Sequence, residues 1–334
     1  MANAIAPLAL AFLAGAPGPR SLPQESAPTR IEFHESAAVD LYFHVRASAG
    51  SDRGSPVEAL APAIQAAKEL HRFLAGDPLA YGAIEGLLPG AEHAEDIVAA
   101  FARAPEYLEL RGGAKAPLRA GAQKLAAALV QGEPAFADLW KEHERHTSAA
   151  LERWKTQVAP KERELLAFHL ASLGMRDLRI AIPVYLVAEA SWPGAVTHLD
   201  DAGRGVCFVA VDPEPGTLLF ETVLHEATHA LDIATDDESA LGALRKKLEA
   251  AGHGPRDKAY HDLPHTLMFV QAAESVRRVI DPAHVDYGES EKVYERLGAS
   301  AEAVRGFWHD HLDGHLSLDE ALDGIVASLA PAPK

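Results

Sequence analysis

The chain has one cysteine, Cys207, in 334 residues, so no intrachain disulfide can brace it. Cys207 lies in the apolar run GVCFVAV with no cationic neighbour and no helix start beside it. It therefore reads as a small buried hydrophobe and not as a reactive thiol. No apolar run reaches the roughly 18 residues that a membrane-spanning helix needs. Lys and Arg nowhere cluster, and the net charge is −17; nucleic acid would be repelled overall, which sets that partner class aside. No internal repeat is present. What remains is a hydrophobic content of 48% and a charged content of 24%, the balance of a globular protein with one large domain or two modest ones.

The first residues, MANAIAPLALAFLAGAPGPRSLPQE, carry a short apolar core from Ile5 to Ala14 followed by small residues. That pattern fits a secretory leader, although no Lys or Arg precedes the core, and it predicts export to the periplasm or the medium. Residues 17–30 read as a Pro/Ser-rich linker, so 1–30 is set apart as possible signal peptide and linker. Residues 31–46 are ambiguous: Val39, Leu41, Phe43 and Val45 alternate as in a strand, while the Ala-rich setting allows a helix. From Val57 to about Ser172 the composition is helical, with breaks expected at Asp77-Pro78, Pro89-Gly90, Arg111-Gly112-Gly113 and Gly132-Glu133-Pro134. His143 and His146 fall in a charged stretch here and are expected in solvent. Near Asp177 the character changes. Two strands are predicted, in LRIAIPVYLVAEA and VCFVAVD, separated by turn-rich sequence. A helix is expected from near Thr217, another over about Asp237–Ala251, and a third through HDLPHTLMFVQAAESVRRVI with Asp262 as its cap and Pro264 in its first turn. The division expected is a helical region over 31–175 and a second region over 176–334. The fold class expected is α+β, predominantly helical, with a small β-sheet.

The stretch ETVLHEATHALD carries the chemistry. At 100° per residue, Leu219, Phe220, Val223, Leu224, Ala227, Ala230 and Leu231 share one side of the helix, and His225, Glu226, His229 and Asp232 the other. Histidines at i and i+4 are neighbours and can reach one ion. Glu226, turned about 100° from His225, is a poor third ligand but is placed to take a proton from a water activated by the metal. Zinc with three protein ligands and one open position is the ion that this donor set suits.

Leu224 to Asp232, LHEATHALD, resembles the active-site helix of the zincin metallopeptidases. The likeness is strong over about ten residues and loose from Asp177 to Tyr287. It implies one Zn2+ ion ligated by His225 and His229, Glu226 as general base and acid, a peptide or protein substrate, and a small sheet whose edge strand lies along the cleft. One zincin branch continues the helix motif to a glycine and a third histidine. Those positions hold Asp232 and Thr235 here, so that branch is excluded. The gluzincin-like branch takes its third ligand, a glutamate, from a later helix, which points to Glu274. The aspartate usual four residues beyond is replaced by Arg278. His265 is the rival ligand, but it aligns with Met268, Phe269, Ala272 and Val276 and so reads as a histidine at the edge of the core, or else as a hydrogen-bond donor to the reacting oxygen. Glu238 is a further candidate ligand. Asp232 could orient a ligand imidazole, and Tyr260, His261 and Tyr287 could assist. In FWHDHLDGH, the residues His309, His311 and His315 read as the polar face of a terminal helix.

Overall fold

The computed structural model describes residues 28–51, 54–74, 78–109, 115–191, 194–211, 216–235 and 237–329. The candidate leader lies outside the described residues. In chain order the main elements are β1 (Arg30–His34), α1 (Ala37–Gly50), α2 (Ala61–Phe73), α3 (Ala94–Phe101), α4 (Leu118–Arg153), α5 (Glu162–Ser172), β2 (Ala181–Val187), β3 (Ala195–Leu199) and β4 (Gly205–Ala210). They are followed by α6 (Leu218–Thr235), α7 (Ala240–Ala250), α8 (Lys258–Val279), α9 (Ala299–Leu312) and α10 (Leu318–Ala327). The protein is a predominantly helical α+β structure. No helix among the described residues is long and apolar enough to cross a membrane.

Contacts divide the chain into two compact units whose segments interleave. One comprises the described residues of Ile31–Lys155 and Ile182–Pro215; the other comprises the described residues of Met1–Arg30, Thr156–Ala181 and Gly216–Lys334. The division expected between residues 175 and 176 is therefore not the one the contacts draw, because the strands group with the earlier helices and not with α6.

In the first unit the four-stranded sheet runs in the order β1-β2-β4-β3. β2 and β4 are parallel, pairing Val184 with Cys207 and Leu186 with Val209. β3 is antiparallel to β4 in a hairpin, pairing Thr197 with Cys207. Strand β3 lies within the sequence read as turn. Cys207 is fully buried as expected. In the ambiguous segment 31–46 the alternating residues are helical, α1, and a strand lies ahead of them over Arg30–His34. The alternation of Val39, Leu41, Phe43 and Val45 is misleading because α1 is buried on every side from Ala38 to Arg46, and such a helix carries no polar stripe to give it a 3.6 period. The break expected at Gly132-Glu133-Pro134 does not occur; α4 runs straight through it. Gly132 serves packing instead, since a Cβ there would lie 2.5 Å from the Leu60 side chain.

The second unit is built on α6 and α8, which pack against each other, with α5, α7 and α9 packed on α8. Helix α8 starts earlier than expected. Asp257 stands at its N-cap, and Pro264 lies inside the helix, in the second turn. In α6 the polar side is not a solvent face. Residues Glu221, His225, Glu226 and Thr228 are all buried, so the helix carries an internal polar layer that neighbouring elements must satisfy.

Candidate metal centre

Neighbouring elements satisfy part of that layer, and Glu221 Oε1 and His225 Nδ1 are left without a hydrogen-bond partner. Glu221 Oε2 accepts hydrogen bonds from His284 Nε2 at 2.8 Å and from the backbone N–H of Tyr287 at 2.9 Å. Burial raises the pKa of Glu221, against the pull of His284. Two turns further on, Thr228 Oγ1 meets His169 Nε2 at 2.8 Å, and His169 Nδ1 meets Ser275 Oγ of α8 at 2.9 Å. His169 is fully buried, and burial lowers its pKa to about 4, so it is a neutral crosspiece from α5 to both α6 and α8.

His225 lies between these two ties and His229 directly follows Thr228, and α8 brings His265 to them. One ligand atom from each of the three lies within 4.8 Å of the other two. The ring centroids form a nearly equilateral triangle: 5.0 Å for His225–His229, 4.9 Å for His225–His265 and 5.4 Å for His229–His265. His225 Nε2 and His265 Nε2 are 3.1 Å apart. Two ring nitrogens at this distance need a proton or a cation between them. A tetrahedral zinc ion with bonds of about 2.0–2.1 Å would set its ligand nitrogens roughly 3.3 Å apart. Burial lowers the pKa of His225 well below the ordinary imidazole value, that of His229 to about 4 and that of His265 to about 3. All three are therefore neutral at pH 7, the form that binds metal. His225 Nδ1 is buried and has no hydrogen-bond partner. Phe269, one turn beyond His265, stacks on the His225 ring at 4.0 Å between centroids and fixes its plane. The donor set fits one zinc-class ion.

The third imidazole is His265, and Glu274 is not brought to the cluster. This corrects the ligand set implied by the gluzincin-like resemblance. The reason is helical geometry: nine residues at 100° turn Glu274 to the side of α8 opposite His265. There its carboxylate is taken by Arg277, by Arg278 Nε at 2.8 Å and by His309 Nε2 of α9 at 3.4 Å. Burial would raise its pKa, but the hydrogen bonds from His309 and Arg278 and the charge of Arg277 hold it down at about 2. The apolar alignment of His265 with Met268, Phe269 and Ala272, which argued for a core-edge histidine, marks the face that packs on α6.

The other candidates are engaged elsewhere. Glu238 is exposed and outside the cluster. Asp232 does not serve a ligand imidazole through any described bond; Arg245 Nη1 lies 2.9 Å from its Oδ2, while Arg245 Nη2 and Ser239 Oγ hold its Oδ1. The Tyr260 hydroxyl donates to Glu249, and His261 meets the Pro255 carbonyl. Tyr287 stacks on Phe269 at 5.9 Å between centroids. His309 is tied to Glu274, and His315 Nδ1 lies 3.6 Å from Asp310, so these histidines of α9 and the turn after it form no ligand group. Glu226 is buried, one residue past His225 on α6.

Comparison with protein-family models, with curated proteins and with solved structures finds no match.

Proposed function

We propose that the protein is a zinc-dependent hydrolase of peptide bonds in which His225, His229 and His265 hold the metal and Glu226 is the general base and acid. The observation that carries this reading is the convergence of three neutral imidazoles from two helices, with the buried Glu226 next in sequence after His225. A zinc ion bound there supplies a Lewis acid that lowers the pKa of water to about 7 and polarises a carbonyl oxygen. Glu226 takes a proton from the attacking water and passes it to the leaving nitrogen. His169 and Phe269 hold the two helices and the His225 ring in register, so the ligand geometry is set before a metal arrives. The substrate class, a peptide or protein, rests on the resemblance of LHEATHALD to the zincin helix.

The test is zinc content and hydrolysis of a mixed peptide library by wild type and Glu226→Gln. The variant is expected to keep its zinc and lose turnover by a factor of at least about 100. Undiminished hydrolysis sinks the mechanism. The burial of His225 and Glu226, each 5% exposed, favours a second reading, a non-catalytic zinc-binding protein with the same helix. Bound zinc without turnover of any library member selects it.

A further inference from the structure

The unit formed by Ile31–Lys155 and Ile182–Pro215 holds a second group of metal-ligand side chains, His44 of α1, His143 of α4 and Glu189 just after β2, whose ligand atoms lie within 4.8 Å of one another. His143 was expected in solvent from its charged sequence neighbourhood. It is buried, and its neighbours show why. Its Nδ1 lies 2.6 Å from Oδ2 of Asp40, which is fully buried, while the Oδ1 of Asp40 accepts the backbone N–H of Ala188 at 2.6 Å. Asp40 thus fixes the His143 tautomer and leaves Nε2 as the nitrogen for an ion, the carboxylate–histidine arrangement found behind metal ligands. His44 is fixed in the complementary way. Its Nε2 is held by Ser55 Oγ at 2.8 Å, and its Nδ1 faces Glu189 Oε2 at 2.9 Å. Phe136 packs against both imidazoles, with centroids 5.6 Å from each, and closes one side with an apolar wall.

The charge balance asks for a cation. Two carboxylates, Asp40 and Glu189, meet two imidazoles, and the ion-pair partners described for both acids are those imidazoles and not Lys or Arg. Glu189 is half exposed and, with Ser48, Ser51 and Ser191, lines a cavity of about 480 Å³, so solvent reaches the group at its carboxylate.

We propose that His44, His143 and Glu189 form a second binding site for a divalent transition-metal cation of the zinc class, independent of the site on α6 and α8. Its donor set, two histidines and one carboxylate with an open position, is one that zinc takes. The experiment is a zinc count by equilibrium dialysis and a cobalt titration followed by visible absorption, on the full chain stripped of metal. Wild type is expected to bind two equivalents. His265→Ala is expected to keep one of them, and Glu189→Gln added to it to weaken that one by at least tenfold. Because Glu189 is half exposed, Glu189→Gln tests the site without depending on how His143→Ala folds; circular dichroism at pH 7 establishes that both variants are folded. A single equivalent in wild type that His265→Ala removes, or a second equivalent that Glu189→Gln and His44→Ala leave untouched, overturns the proposal and leaves His44–Glu189 as an ion pair. Failure of the α6–α8 site is distinguishable, because the single equivalent would then respond to Glu189→Gln and not to His265→Ala.

Discussion

Replacing His169 with glutamine should make the metal-free protein less sensitive to acid. His169 is fully buried between Thr228 and Ser275 and is held neutral, with its pKa lowered by burial to about 4. In the unfolded chain a histidine titrates near 6.5. Between pH 6.5 and 4 the unfolded state therefore binds a proton that the folded state refuses. Stability falls as pH drops through that window and levels off below it. The difference of about 2.5 units, at 1.36 kcal/mol per unit, corresponds to about 3 kcal/mol lost between pH 7 and pH 4 through this one residue. His225, His229 and His265 act in the same direction in the metal-free protein, so the diagnostic quantity is the difference between variant and wild type. Glutamine can still donate to one hydroxyl and accept from the other. His169→Gln should cost about 1 kcal/mol at pH 7 but should lose about 3 kcal/mol less than wild type on acidification to pH 4. Urea unfolding at pH 7, 5.5 and 4 in the presence of a chelator measures it. Equal pH dependence of variant and wild type, within about 0.5 kcal/mol, would refute the assignment of His169 as a neutral crosspiece.

In the other unit, Glu85 is fully buried and accepts from Tyr42 at 2.9 Å, from Arg46 and from His198 Nε2 at 2.7 Å. Glu85→Ala strands the Arg46 charge, and denaturant unfolding should show a loss of about 3–5 kcal/mol; a change under about 1 kcal/mol contradicts the network. Asp232 neutralises Arg245, whose charge helps to lower the His229 pKa. Asp232→Asn should leave that guanidinium less compensated and weaken zinc binding by about tenfold, read by competition with a chromophoric chelator; unchanged affinity shows that Asp232 serves only to tie α6 to α7.

The α6 histidines were legible because i and i+4 spacing is a property of the helix alone. The third imidazole of the cluster was not. His265 and Glu274 lie on opposite sides of α8, and the sequence does not say which side packs on α6. The signal available was Phe269, an aromatic one turn after His265 that stacks on His225, and it read equally well as ordinary core. Arg277 and Arg278 beside Glu274 were the clue that its carboxylate was committed elsewhere. His143 was misread for a related reason. Its near neighbours in sequence are charged, but its partner Asp40 is 103 residues away, and only the packing of α1 on α4 brings the two together. The strands β2 and β4 were legible as β-branched apolar runs. That they group with the earlier helices was not, because pattern reports burial and not which surface supplies it.

The central claim is that His265, and not Glu274, completes the metal site on α6. Zinc affinity should be measured by chelator competition in a Glu189→Gln background, so that this site alone is counted, for otherwise wild-type protein and for His265→Ala and Glu274→Ala. Loss of a ligand should exceed the 10–100-fold effect of an outer partner, so His265→Ala is expected to weaken binding by more than about 100-fold, while Glu274→Ala leaves it within about threefold and lowers stability instead. Zinc affinity that survives His265→Ala and collapses in Glu274→Ala would contradict the account.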